Sequence, residues 1–191
     1  MSEKSKSGQA IDPARAALRV QLRAAREQID RRAERERALG NRVARWLKTV
    51  PLVRLAFYWP IRGEPDLAPT IADWLKVSSL RAAGLPVIVG DHLSFAPWTT
   101  RSAMVPGAFD IPVPSTSLRM MPQLLLIPCL GFDGQRHRLG YGGGYYDRTL
   151  AKMQPAPVKV GIAFGMSQVD SIAPRKHDIR LDLVITEDGV L

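Results

Sequence analysis

Gln123-Leu124-Leu125-Leu126-Ile127-Pro128 is an apolar run of strand length that ends at a proline. A polar turn, Asp133-Gly134-Gln135, follows it. Next comes Arg138-Leu139-Gly140-Tyr141-Gly142-Gly143-Gly144-Tyr145-Tyr146-Asp147-Arg148, with four glycines in five residues directly before a segment that reads as helix from Tyr145 to about Met153. The order is strand, loop, glycine turn, helix. A glycine-rich turn lets backbone N–H groups approach a ligand closely. Feeding a helix N-terminus, it presents unpaired donors and partial positive charge, which suits phosphate. Arg138 and Arg148 add full charge at its flanks. Asp147, one turn into the helix, is a hard oxygen ligand able to hold Mg²⁺ beside phosphates. The spacing is neither that of a P-loop nor that of a dinucleotide-binding fingerprint.

Outward from this stretch, helical and extended segments alternate. Asp12-Pro13 supplies an N-cap and a first-turn proline, and Leu18, Leu22, Ala25 and Ile29 recur at helical spacing. A second helix is expected over about Arg31–Lys48, stopped by Pro51. Val53–Trp59 reads as strand and Leu67–Ala83 as helix, with Gly84 as its C-terminal cap. Leu85–Val89, Leu93–Trp98, Val158–Phe164 and Leu183–Thr186 read as strands. Residues 99–122, with Pro106, Pro112, Pro114 and Pro122, read as one irregular loop. Strands separated by helices predict a layered α/β fold. Residues 1–10 read as a disordered basic tail and 11–191 as a single domain.

The 191 residues are enough for a sizeable core, and 46% apolar with 24% charged content is ordinary for a globular protein. No apolar stretch approaches membrane-spanning length, and the N-terminus lacks the apolar core of a secretory signal. The single cysteine, Cys129, excludes an internal disulfide framework and fits a reducing cytoplasm. Net charge is +9, and residues 1–50, with 13 basic against 6 acidic residues, hold +7 of it. Such a segment can bind nucleic acid without sequence preference. It equally suits anionic small substrates.

The glycine stretch resembles 5-formyltetrahydrofolate cyclo-ligase, also called 5,10-methenyltetrahydrofolate synthetase. That family's signature is a strand ending in Pro, then Phe-Asp-x-x-Gly-x-Arg-Leu-Gly-x-Gly-x-Gly-Tyr-Tyr-Asp. Here Phe132-Asp133-Gly134 is followed by one extra residue before Arg138, and Arg138–Asp147 fits throughout. Arg15-Ala16-Ala17-Leu18-Arg19 is similar to the family's Lys-x-x-Leu-Arg, with Arg15 for the lysine. Phe57-Tyr58-Trp59-Pro60-Ile61-Arg62-Gly63-Glu64 looks like its strand and acidic turn. His177-Asp178-Ile179-Arg180-Leu181-Asp182-Leu183-Val184-Ile185-Thr186 matches its C-terminal pattern. Val113 stands where many relatives carry Glu or Gln, and no role is carried onto it.

The resemblance implies a single-domain, three-layer α/β/α fold with a largely parallel or mixed central sheet, of the NagB/RpiA/CoA-transferase-like kind. It implies an ATP-dependent ligase that converts 5-formyltetrahydrofolate to 5,10-methenyltetrahydrofolate. ATP would be bound by Arg15, Arg19 and the run Arg138, Leu139, Gly140, Tyr141, Gly142, Gly143, Gly144, Tyr145 and Tyr146, although Tyr146 is expected chiefly to pack. Folate would be bound by Trp59, Glu64, Tyr141, Gly142, Gly143, Gly144 and Tyr145. Arg138 and Tyr145 would be catalytic. Asp147 and Asp182 would hold Mg²⁺, and without the resemblance Asp182 reads as a solvated strand-edge acid. The expected partners are ATP and a folate, polyglutamylated or not, for a cytoplasmic monomer without membrane or nucleic-acid partners. His177-Asp178 lacks an accompanying nucleophile motif and reads as no catalytic dyad; Cys129 reads as packing. Two other readings stay open: a diverged relative that binds ATP without this folate chemistry, and a basic nucleic-acid-binding protein.

Overall fold

A computed structural model describes residues 12–191, so the tail expected at 1–10 lies outside the described residues. Two helices come first, α1 (Pro13–Glu27) and α2 (Arg32–Leu47). As the sequence predicts, the Asp12 side chain caps α1 by accepting from the Arg15 N–H at 3.1 Å. Then follow β1 (Arg54–Ala56), α3 (Ala68–Lys76), β2 (Ala82–Val89), β3 (His92–Trp98), β4 (Met104–Pro106), β5 (Pro112–Pro114), β6 (Leu124–Pro128), β7 (Gly131–Asp133), β8 (Arg138–Leu139), α4 (Tyr145–Lys152), β9 (Val158–Ile162), β10 (Gln168–Val169) and β11 (Leu183–Ile185).

Six strands form the central sheet in the order β11-β9-β6-β1-β2-β3. Neighbours from β11 to β2 pair in parallel, and β3 closes the edge antiparallel to β2. Period-2 alternation in β6 builds both layers at once. Leu124 and Leu126 face Leu39, Val43, Ile71 and Trp74 of α2 and α3. Leu125 and Ile127 belong to the opposite cluster, with Leu150 and Met153 at α4. Helices therefore cover both faces, as the three-layer expectation requires. α1 packs elsewhere: its Leu22 meets Leu130, Leu139 and Ile172, beside a small sheet of order β10-β7-β8.

Three predicted segments differ. The helix expected to reach Ala83 stops at Lys76, and Gly84 lies inside β2 rather than capping α3. Its register opposite Ala56 and Pro97 wins over local helix propensity. A Cβ there would lie 2.7 Å from the Met120 sulfur and 3.0 Å from the Ala96 carbonyl, so the close approach requires glycine. The proline-rich stretch is also partly ordered as a β4–β5 hairpin pairing Met104 with Pro114 and Val105 with Val113. The β7–β8 hairpin lies within the loop expected between the strand that ends at Pro128 and the glycine turn. Its turn is organised by the buried Asp133, whose Oδ1 accepts from the Gln135 and His137 N–H groups, both at 3.0 Å. The residue additional to the family spacing falls in this turn, where Arg136 is left-handed (φ 67°).

Candidate active site

The chain leaves β1 toward β2 on one side and returns as β6 on the other. The loops beyond the carboxyl ends of β1 and β6 thus diverge, leaving the crevice in which open α/β sheets bind ligands. A cavity of about 940 Å³ occupies that place. Tyr58–Glu64 after β1, Pro128 at the end of β6, the glycine turn and the start of α4 contribute walls. Further walls come from Arg15 and Arg19 of α1, from Phe109, Ile111 and Val113 at the β4–β5 hairpin, and from Arg175–Ile179.

In the glycine turn, Gly142 (φ 97°) and Gly144 (φ 67°) are left-handed, a conformation costly for any residue with a Cβ. Gly144 is the N-cap of α4, which has no side-chain cap. Its opening N–H groups therefore have no helical or capping acceptor at a wall made by Tyr145, Tyr146 and Asp147. Arg19 Nε donates to the Gly140 carbonyl at 2.8 Å and fastens α1 to the turn. Burial, then the charges of Arg15 and Arg175, pull the Arg19 pKa down, the mark of a crowded positive wall.

Arg138 and Asp147 face one another. Their guanidinium and carboxylate meet at two points, 3.1 Å (Nη1–Oδ1) and 3.0 Å (Nη2–Oδ2). Asp147 Oδ1 also accepts from the Ile179 N–H at 3.0 Å. Arg15 Nη1 donates to Asp178 Oδ2 at 2.6 Å, with both side chains 8% exposed. Burial opposes ionisation of Asp178, yet the Arg15 and Arg175 donors outweigh it and its pKa is lowered. Loop 173–179 is in this way clamped to both α1 and α4.

Glu64 is buried, its Oε2 accepting from the Ile61 N–H at 3.0 Å. The turn that carries it has two left-handed residues in succession, Arg62 (φ 48°) and Gly63 (φ 74°), closed by Glu64 N–H to Ile61 carbonyl at 2.9 Å. Burial pushes the Glu64 pKa up to about 7, against the Ile61 N–H and the Arg26 charge, which lower it. Arg62 lies over the Tyr141 ring at 5.0 Å and Arg148 over the Tyr145 ring at 5.2 Å. Trp59 lines the cavity while also packing on the core cluster. Tyr146 sits under Arg138 at 5.6 Å.

Thirteen of the fifteen residues singled out in the sequence line this cavity; Leu139 and Asp182 do not. Leu139 is fully buried in the cluster beneath α1. Asp182 holds β9, accepting from the Lys159 N–H at 2.7 Å and pairing with its ammonium at 2.9 Å. The structure therefore does not bring Asp147 and Asp182 together as cavity walls. Among the described residues no group of three or more His, Cys, Asp or Glu is placed to hold a metal ion. The sequence reading missed Arg26, Asp178 and the hairpin residues Phe109 and Ile111. For Arg26 a signal existed: Arg15, Arg19, Leu22 and Arg26 fall on one helical face, and Arg15, Leu22 and Arg26 are the buried residues of α1.

A cationic glycine turn at a helix start and an aromatic pocket with a buried carboxylate share one crevice beyond the strand ends, the layout of an α/β enzyme site. The chain belongs to the 5-formyltetrahydrofolate cyclo-ligase family, whose model matches residues 11–187. It is 28% identical over 154 residues to the 5-formyltetrahydrofolate cyclo-ligase of Mycoplasma pneumoniae, covering 80% of this chain and 85% of that one. To that of Escherichia coli (strain K12) it is 29% identical over 170 residues, covering 82% and 92%. Its fold is similar to the 5,10-methenyltetrahydrofolate synthetase of Aquifex aeolicus, with a TM-score of 0.76, 30% identity and coverage of 92% and 91%. The M. pneumoniae synthetase gives a TM-score of 0.74 at 23% identity, covering 91% and 98%. Among the described residues no helix is long and apolar enough to cross a membrane.

Proposed function

We propose that this chain, as one cyclo-ligase domain, converts 5-formyltetrahydrofolate and ATP into 5,10-methenyltetrahydrofolate, ADP and phosphate. The observation that carries this reading is the single crevice uniting the glycine turn with Glu64 and its aromatic neighbours. A formamide oxygen is a poor leaving group. Attack by that oxygen on the γ-phosphorus breaks the bond to ADP and turns the oxygen into part of a phosphate. The neighbouring amine then attacks the formyl carbon, the carbon–oxygen bond breaks, phosphate departs, and the amine loses its proton.

The residues supply position and charge. N–H groups of the glycine turn and the α4 start receive the phosphates, and Arg15, Arg19 and Arg138 spread over the transferring group. Glu64 accepts from the N–H groups of the pterin, while Trp59, Tyr141 and Tyr145 flank its faces. Mg²⁺ would neutralise phosphate charge. Of the three carboxylates that line the cavity, Glu64, Asp147 and Asp178, Asp147 stands at the glycine turn and would hold an ion carried in by the nucleotide once Arg138 turns to the phosphates, whereas Asp182 remains with Lys159. The exposed Arg62 and Lys176 at the cavity rim suit the glutamate tail of the folate. The reading includes a monomer in the cytoplasm. Purified protein with 5-formyltetrahydrofolate and Mg-ATP should give the near-ultraviolet absorbance of the methenyl product; folded protein that binds ATP and forms none would reject the reading in favour of a diverged relative.

A further inference from the structure

Arg26, in the last turn of α1, is 1% exposed. Its Nη1 donates to the Tyr141 hydroxyl at 3.0 Å and its Nη2 to the Cys129 carbonyl at the end of β6. Its Nε has no hydrogen-bond partner, and the guanidinium is in no ion pair among the described residues. A buried charge in that state costs several kcal/mol relative to water. It persists where three walls of the cavity meet. Its stem packs behind the Arg62-Gly63 turn, where a Cβ on Gly63 would lie 3.6 Å from the Arg26 Cγ and Cδ. Its head ties the glycine turn, through Tyr141, to the end of β6.

Resting on the folate reading above, we propose that Arg26 is a positioning residue: it fixes the Tyr141 hydroxyl and, as a buried opposing charge, holds Glu64 as the carboxylate that receives the pterin. The groups around Glu64 leave little else to do this. Arg26 faces it from α1, Arg62 from its own turn, Tyr141 from the glycine turn, Tyr58 from the segment after β1, Cys129 from the end of β6 and Tyr146 from α4. Burial pushes the Cys129 thiol and the Tyr141 hydroxyl each up to about 12 and raises Tyr58 and Tyr146 as well, so all four are neutral near pH 7. Arg62 is exposed and screened by water and salt. Arg32 of α2 reaches the backbone of this turn, donating to the Gly63 and Glu64 carbonyls at 2.8 and 3.4 Å, but it is paired with Glu36 at 3.1 Å. Arg26 is the cation near Glu64 that is both buried and in no ion pair among the described residues.

The test is the KM for 5-formyltetrahydrofolate and the kcat, from pH 6 to 9 with Mg-ATP, in the wild type, Arg26→Met, Arg26→Lys and Glu64→Gln. Wild-type KM should fall as pH rises through about 7, as Glu64 ionises. Arg26→Met should move that inflection up by about one pH unit, raising KM at pH 7 about fivefold, with kcat within about twofold. Arg26→Lys, which keeps the charge, should restore the wild-type inflection, and Glu64→Gln should abolish it. A purely structural role would lower the amount of folded enzyme without moving an inflection. Should Arg26→Met not fold, Arg26→Lys and Glu64→Gln still decide: a shifted inflection in the first, or a persistent one in the second, overturns the assignment. So does a flat wild-type KM profile, or an unmoved inflection in folded Arg26→Met. A wild type that makes no methenyl product at any pH rejects the folate reading itself, a different failure.

Discussion

Arg138 and Asp147 bracket the glycine turn and meet across it at 3.0 and 3.1 Å, so the turn is the closed loop of a two-point ion pair. Arg138 is aimed by Asp147 before any phosphate arrives, and Asp147 Oδ1 accepts from the Ile179 N–H as well. Asp147→Asn keeps the shape and loses the charge. It should lower kcat by about two orders of magnitude, the size expected for misplacing one group that stabilises the transferring charge. Thermal denaturation should show a cost of about 1–3 kcal/mol; unchanged kcat would remove Asp147 from the chemistry.

Arg15 touches Asp178 through one nitrogen, at 2.6 Å. A single-point contact does not need a fork, so Arg15→Lys, the family's residue, should keep activity within about threefold and stability within about 1 kcal/mol. Arg15→Ala leaves a carboxylate that is 8% exposed without its ion-pair partner, with the Arg175 N–H as its remaining donor. It should cost about 3 kcal/mol and raise the KM for ATP, read by urea titration and by initial rates.

The glycines divide by what a side chain would meet. At Gly144 (φ 67°) a Cβ would press on the Arg148 guanidinium. Gly144→Ala should therefore lower stability by about 1–2 kcal/mol and weaken ATP binding as well. At Gly140 a Cβ meets nothing and φ is not left-handed. Gly140→Ala should leave the Tm within about 2 °C while raising the Kd for ATP several-fold by calorimetry. Equal Kd values in Gly140→Ala and wild type would mean that phosphate does not approach there.

Glu64 carries a stability signature of its own. Its folded pKa of about 7 lies above the ordinary 4.5, so the folded chain holds that proton longer than the unfolded chain. Its contribution to stability therefore declines as pH rises between those two values. Glu64→Gln lacks the decline and should be more stable than wild type by up to about 3 kcal/mol at pH 8. The difference should shrink toward pH 5. A constant difference across that range would show that Glu64 titrates normally.

Much of this was legible from residue types. Asp12-Pro13 announced α1, the apolar Leu124–Ile127 run announced the central strand, and the glycine turn with its flanking charges announced the cavity wall. What escaped was decided by distant partners. Gly84 looks like a helix cap until β1 and β3 claim it for the sheet. Pro106 and Pro112 read as loop because nothing local shows that they face one another across a hairpin. Arg26 reads as one more solvated arginine, since only the fold puts Tyr141 and the Cys129 carbonyl at its head. Asp182 matched a pattern but lies where β9 needs a partner.

The clamp between α1 and loop 173–179 also sets an order of events. Arg15 reaches Asp178 across 163 positions, and Arg19 reaches Gly140 across 121. Contacts between such distant segments carry the largest loop-closure entropy and form late. On the ribosome, α1 waits for nearly the whole chain to emerge before its arginines find their partners. The central sheet can begin to pair while one wall of the crevice is still in the exit tunnel, so a chain truncated before residue 173 would lack the edge strand β11 and the Arg175–Ile179 wall of the site.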